Sequence, residues 1–184
     1  WTEQQSAYAG PVGVKIQMAN ATTGYMTCGG ATQKTTNGGD NWIQLPGPGY
    51  AGLSYTPLKV IDANTVYFGA SNTQVYATTT GGNSYDSLNF PDKSGAIFCM
   101  DFINANTGVV GTIIGVIGKT TNRGASWEIM NCGGYTVMSV KMVHPDTMFA
   151  VAGNTAGGQV FKYIKNLTGG FFWENQVPSE YKLE

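Results

Sequence analysis

The sequence predicts an all-β chain, a β-propeller built from four four-stranded repeats of about 43 residues each. Three observations carry this. A Gly-containing box that ends in an aromatic residue recurs along the chain. A four-residue turn ending in Thr recurs on the same beat. No stretch sustains the three-to-four residue apolar spacing of a helix. The whole chain reads as one array, with repeats at 9–45, 52–88, 95–130 and 136–177.

Each repeat opens with an apolar inner strand: Val14–Met18, Leu58–Ile61, Ile97–Ile103 and Val137–Val143. The recurring turn follows, starting at Asn20, Asp62, Asn104 and His144, at intervals of 42, 42 and 40 residues. Asn and Asp suit it because their short side chains hydrogen-bond the backbone two residues on. The second strands are Tyr25–Cys28, Val66–Phe68, Val109–Val110 and Met148–Val151. A third strand, such as Gln74–Thr78 or Gln159–Ile164, leads into the box. The fourth carries the aromatic: Asn41–Leu45, Ser84–Leu88, Ser126–Met130 and Phe172–Val177.

The first box runs from Thr35 through Asn37 and Gly39 to Trp42, and the third from Thr120 through Asn122 and Gly124 to Trp127. A weaker copy has Thr78, Thr80, Gly82 and Tyr85; the weakest has Asn166, Thr168, Gly170 and Trp173. The aromatics stand 43, 42 and 46 residues apart. These boxes resemble the Asp-box (BNR) motif, Ser/Thr-x-Asp/Asn-x-Gly-x-x-Trp. The first and third match at every defined position; the second departs at Thr80 and Tyr85, the fourth at Asn166 and Thr168. The blades are most similar to those of photosystem II assembly and stability factors and of sortilin-type receptors. The resemblance implies a propeller whose boxes are structural staples on the side away from the ligand. Physically, Asn37 and Asn122 can accept hydrogen bonds from the hairpin they start, and Gly39 and Gly124 can supply the positive φ it needs. Trp42 and Trp127 are expected to wedge between neighbouring sheets.

Composition narrows the function. Charged residues are only 11% of the 184, with net charge −1 and no basic run to track phosphates, which argues against nucleic acid. No apolar run approaches the ~20 residues that span a bilayer as a helix, and no cationic amphipathic helix is present for a membrane surface. The chain opens at Trp1 without Met and is read as processed or trimmed. Sequons at Asn20 and Asn166, with the low charge, point to a secreted protein or one of an organelle lumen or periplasm. Cys28, Cys99 and Cys132 are an odd number without a CxxC pair. They read as small buried residues, with a Cys99–Cys132 disulfide the alternative. No metal or cofactor motif is present.

Catalysis finds little support. A sialidase grips its substrate carboxylate with three arginines, and this chain has one, Arg123, inside a box. Other Asp-box glycosidases need paired carboxylates. Asp101 is the one acid on an inner strand, with no evident acidic partner, and reads as a solvated or hydrogen-bonded channel residue before a catalytic one. His144, the only histidine, holds a turn slot rather than a catalytic one. The expected function is therefore a non-catalytic module binding a protein or glycan through its inter-blade loop face. The alternatives are a glycoside hydrolase other than a sialidase, or a structural, adhesive secreted repeat protein.

The expected ligand residues are Tyr8, Tyr50, Tyr55, Phe90, Tyr135 and Asp101. The aromatics recur in the loops after each box, where they would either stack on a ligand or pack between blades. Trp1–Tyr8 and Trp173–Tyr181 look like copies of one segment and would compete for one outer-strand slot in a closed ring of four. Closure with another chain, a displaced copy or a longer array would each resolve that competition.

Overall fold

A computed structural model describes residues 15–28, 31–47, 57–70, 73–155 and 157–165, and the backbone of 171–175. They form four four-stranded antiparallel sheets, each a simple meander from inner to outer strand. Blade 1 holds β1 (Lys15–Met18), β2 (Gly24–Cys28), β3 (Ala31–Thr35) and β4 (Ile43–Gln44). Blade 2 holds β5 (Leu58–Val60), β6 (Val66–Gly69), β7 (Val75–Thr78) and β8 (Asp86–Leu88). Blade 3 holds β9 (Ile97–Phe102), β10 (Gly108–Thr112), β11 (Val116–Thr120) and β12 (Glu128–Asn131). Blade 4 holds β13 (Thr136–His144), β14 (Thr147–Asn154), β15 (Gly157–Lys165) and β16 (Phe171–Asn175). The inner strands lie side by side in chain order.

The turn between the first two strands is built by one side chain in every blade. Asn20 Oδ1 accepts the amides of Thr22 and Thr23, Asp62 Oδ1 those of Asn64 and Thr65, and Asn104 Oδ1 those of Asn106 and Thr107. His144 Nδ1 takes the same part, accepting the Asp146 amide at 3.2 Å. The ring nitrogen is doing turn chemistry, as its slot predicts.

The core lies at the junctions between blades. One apolar cluster joins blades 1 and 2 around Tyr25, Leu45 and Phe68. A second joins blades 2 and 3 around Tyr67, Phe90 and Phe102, and a third joins blades 3 and 4 around Val109, Met142 and Tyr163. Each second strand packs on the next inner strand: β2 on β5, β6 on β9 and β10 on β13. Tyrosines pin the first two junctions. The Tyr25 hydroxyl donates to the carbonyl of Ala63 at 2.6 Å, and that of Tyr67 to the carbonyl of Ala105. Tyr67 also stacks on Phe102 at 3.9 Å between ring centres. Val109 holds this slot in blade 3, and the link there is Lys119, whose buried ammonium donates to the Tyr163 hydroxyl at 3.0 Å.

The box hairpins of blades 1 to 3 share one hydrogen-bond pattern. Thr35 Oγ1 accepts the Gly39 amide at 2.9 Å and donates to Asn37 Oδ1, which accepts the Asn41 amide. Thr120, Gly124, Asn122 and Ser126 repeat it. In blade 2 the Thr80 hydroxyl replaces the amide oxygen and accepts the Ser84 amide at 2.9 Å, so the missing Asn costs the hairpin nothing in connectivity. The box glycines carry positive φ, +98° at Gly39, +95° at Gly82 and +79° at Gly124. Gly124 meets a second demand: a Cβ there would lie 2.9 Å from Leu88, on the outer strand of the preceding blade. The box is thus also a landing surface between blades.

Blade 4 departs from this pattern. Its third and fourth strands stay paired through Tyr163↔Trp173 as far as Lys165↔Phe171. In blades 1 to 3 the pairing stops short of the box aromatic, at Ile43, Asp86 and Glu128, the residues that follow it in the chain. Tyr163 therefore stands where Thr35, Thr78 and Thr120 stand, and the fourth hairpin is longer than the sequence spacing from Asn166 to Trp173 implies. Asn166 and Gly170 lie outside the described residues, as does the Trp173 side chain. Trp127 sits at a sheet-to-sheet junction as expected, edge-on to Phe90 at 5.2 Å and 88°. Trp42 is buried, beside its own Gly39.

Candidate functional site

Counting back from the recurring turn aligns the inner strands in layers. Three residues before each turn stand Gln17, Lys59, Asp101 and Lys141; five before stand Lys15, Pro57, Cys99 and Ser139. The first layer is polar and interlocked. Asp101 Oδ1 accepts from Lys59 Nζ at 2.7 Å, and its Oδ2 pairs with Lys141 Nζ at 3.1 Å and accepts the Met142 amide at 3.0 Å. Gln17 Oε1 does in blade 1 what Asp101 does in blade 3, accepting the next blade's amide at Val60.

The second layer rims a cavity of about 180 Å³ that residues of all four blades line. It opens where the inner strands begin, on the side of the loops between blades. Lys15 and Ser139 are exposed there, and Cys99 is half-buried. Lys15 is the one charged residue lining this cavity, and the neighbouring polar layer sets Lys59 and Lys141 against the single carboxylate of Asp101.

Burial pushes the Asp101 carboxyl up, but the Lys59 hydrogen bond, the Met142 amide and Lys141 outweigh it and hold it below the usual carboxylate range. An acid that must protonate a leaving group near neutral pH needs the opposite shift. Asp101 is an anion consumed by two cations. Burial raises the Cys99 thiol to about 12 and Cys132 to about 11, so neither is a thiolate nucleophile at neutral pH. All three cysteines are free, so the alternative Cys99–Cys132 disulfide is not formed. Among the described residues no group of three His, Cys, Asp or Glu could hold a metal, and no helix is long and apolar enough to cross a membrane.

The expected aromatic face fares unevenly. Phe90 is fully buried between blades 2 and 3 against Trp127, and its ring abuts Gly118. It packs the junction instead of meeting a ligand, because the loop after β8 turns inward at once. Tyr135 is half-buried against the third cluster. Tyr8, Tyr50 and Tyr55 lie outside the described residues. Arg123 extends from its box to Asp86 of blade 2, pairing at 2.8 Å on the outer rim. Sequence reading places Lys59, Lys93 and Lys141 near one edge without making them an anion site, and it missed Lys15 and Ser139. The 42-residue beat could have aligned them, since each occupies a fixed offset from its turn.

No family model matches this chain, and no curated protein sequence does either. Solved structures do. A GH74 enzyme from Niastella koreensis superposes with a TM-score of 0.68 at 17% identity, over 88% of this chain and 30% of that one. YCF48 bound to D1 peptide gives 0.67 at 14% identity, over 91% and 56%. The WD40 repeats of RRP9 give 0.67 at 13% identity, over 88% and 52%. The chain thus spans about half of these structures or less. With four radial four-stranded meanders and these neighbours, the fold is that of a β-propeller.

Proposed function

We propose that the chain is a non-catalytic propeller module of the Asp-box type that holds a protein segment or a glycan at the mouth of its channel. The observation that carries this reading is the mouth itself: a small cavity shared by all four blades, where Lys15 and Ser139 stand among apolar side chains, beside a layer whose one carboxylate is already spent on two lysines. Propellers of similar fold include one solved with a peptide bound. The uncompensated lysine charge favours acidic side chains or a carboxylate in the ligand. A secreted, lumenal or periplasmic setting suits the low charge and the sequons.

The test pairs binding with turnover. The chain is screened on a peptide array containing acidic segments and on a glycan array, beside Ser139→Trp, which fills the mouth, and Lys15→Glu, which reverses its charge. Binding that both variants reduce at least tenfold supports the reading. The competing hydrolase reading predicts polysaccharide cleavage that Asp101→Asn abolishes; that result would overturn the proposal.

A further inference from the structure

Two of the inner strands that meet at the mouth carry a β-bulge at the same place. In β9 Ile97 pairs with Thr112 and Cys99 with Gly111, so Phe98 is an extra residue. In β13 Val137 pairs with Ala152 and Ser139 with Val151, so Met138 is an extra residue. Each stands six residues before its recurring turn, at Asn104 and His144. A bulge bends its strand and re-aims a side chain, and bulges are over-represented next to active sites. Phe98 and Met138 both line the cavity of the mouth. Neither serves the core: Phe98 is half-buried, Met138 is 49% exposed, and neither belongs to the three apolar clusters.

The walls that these residues complete are built mostly from apolar side chains, those of Pro57, Leu58, Phe98, Met100, Met138 and Val140. The Cys99 thiol donates to the Val137 carbonyl at 3.3 Å. Lys15 and Ser139 are the polar side chains left to meet a ligand. The volume is about 180 Å³. An apolar cavity of ~150 Å³ takes one benzene, so there is room for one side chain of Leu, Met or Phe size. A sugar ring of that size carries hydroxyls around its edge. Lys15 and Ser139 cannot partner them all, and a buried hydroxyl without a partner weakens binding. A hydrocarbon side chain meets these walls without that cost. No carboxylate is among the described residues that line the cavity, so one on the ligand would answer Lys15.

We propose that the mouth takes a protein segment and not a glycan, anchored by one bulky apolar side chain with a carboxylate beside it, and that Phe98 and Met138 set this preference. The inference rests on the reading of the mouth as the binding site and names its occupant.

The test follows the Met100 and Met138 methyl groups of residues 1–184 by carbon-13 NMR, with Met100→Leu and Met138→Leu identifying the signals. Two probes carry one carboxylate on different rings: 3-phenylpropionate, which is apolar, and glucuronate, which is hydroxylated. Phenylpropionate should move both signals at a concentration roughly tenfold or more below that needed for glucuronate. Amidated peptides with an internal Phe-Asp pair, and peptides ending in Phe with a free carboxylate, tell the two sources of the anion apart. Replacing that Phe by Ser should weaken the tighter of the two at least roughly tenfold. Met138→Asp, at an exposed position, should keep the circular dichroism spectrum and lose roughly tenfold or more toward the peptide, whereas Met138→Leu should stay within about threefold. Glucuronate binding as well as phenylpropionate, or Met138→Asp binding the peptide like wild type, overturns the inference; the mouth stays a site if Ser139→Trp and Lys15→Glu still reduce binding. A ligand from either array that is indifferent to Ser139→Trp and moves neither methyl signal overturns the reading of the mouth, and this inference with it.

Discussion

Blades 2 and 4 are copies of one pattern, yet the first is closed on both faces and the second on one. In β6 every residue is buried, while in β14 buried and exposed positions alternate through most of the strand. Lys59 of blade 2 has a side chain 19% exposed; Lys141, its counterpart, is 65% exposed, and both reach for the same carboxylate. The hairpins differ likewise. Thr78 caps a tight box in blade 2, whereas Tyr163 fills that slot in blade 4 and sends its hydroxyl to Lys119 of blade 3. The difference teaches that a blade's identity comes from its internal meander, whereas its stability comes from its neighbours. Strands of four or five residues cannot bury enough apolar surface alone.

The sharpest way to break the comparison is to truncate one slot in both blades. Tyr67→Ala removes a fully buried ring that stacks on Phe102 and a hydroxyl that caps Ala105. It should cost about 3–5 kcal/mol, the range for emptying a core aromatic site. Phe149→Ala, at the open face, should cost under about 1 kcal/mol in the monomeric chain. Urea denaturation of both variants, with the monomer verified by sedimentation, gives the two numbers. Equal losses would mean that blade 4 is as enclosed as blade 2.

Asp101 joins the two blades compared, because it stands between Lys59 and Lys141. Asp101→Asn keeps an acceptor for the Met142 amide, the job Gln17 does with an amide in blade 1. What it loses is the counter-charge for Lys59. The cost at neutral pH should be about 1–2 kcal/mol, below the ~3–5 of a fully buried pair, because Lys141 stands open to water. The folded carboxyl titrates below its unfolded value, so its contribution is complete above the unfolded pKa, about 3.9, and fades as pH falls through the folded one. Stability of wild type and variant should therefore differ at pH 7 and converge below about pH 4. A gap that does not narrow at all as pH falls below about 4 would assign the loss to packing instead.

Much of this was legible before any coordinates. The four-residue turn and the box are local chemistry, and local chemistry is written in short motifs: Asn20, Asp62, Asn104 and His144 cap as their types predict. The strands fall where the apolar runs lie. What escaped is what depends on neighbours in space. Phe90 reads as a loop aromatic and is a core residue, because the direction a loop turns is set by the blade beside it. The mouth escaped because no motif marks Lys15 or Ser139; only the ring brings them together. The fourth hairpin escaped because a register extended by three residues leaves the count of aromatics nearly unchanged.

The smallest expected effect tests the box against itself. Gly38 and Gly81 hold one slot of the hairpin at φ +74° and +68°, and in blade 3 Arg123 holds it at φ +58°. A side chain in that left-handed region costs about 1 kcal/mol, so glycine is the local optimum. Against this stand the greater freedom glycine returns to the unfolded chain, about 0.5–1 kcal/mol, and the loss of the Arg123–Asp86 pair. The pair is at the surface, with the side chains 33% and 63% exposed, and is worth at most about 0.5 kcal/mol. Arg123→Gly should therefore change stability by less than about 0.5 kcal/mol in low salt. In 1 M NaCl, where the ion pair is screened, the variant should gain a few tenths of a kcal/mol on wild type. A loss above about 1 kcal/mol in both salts would show that the guanidinium does more than pair with Asp86, and that the only arginine of the chain is fixed there by packing between blades 2 and 3.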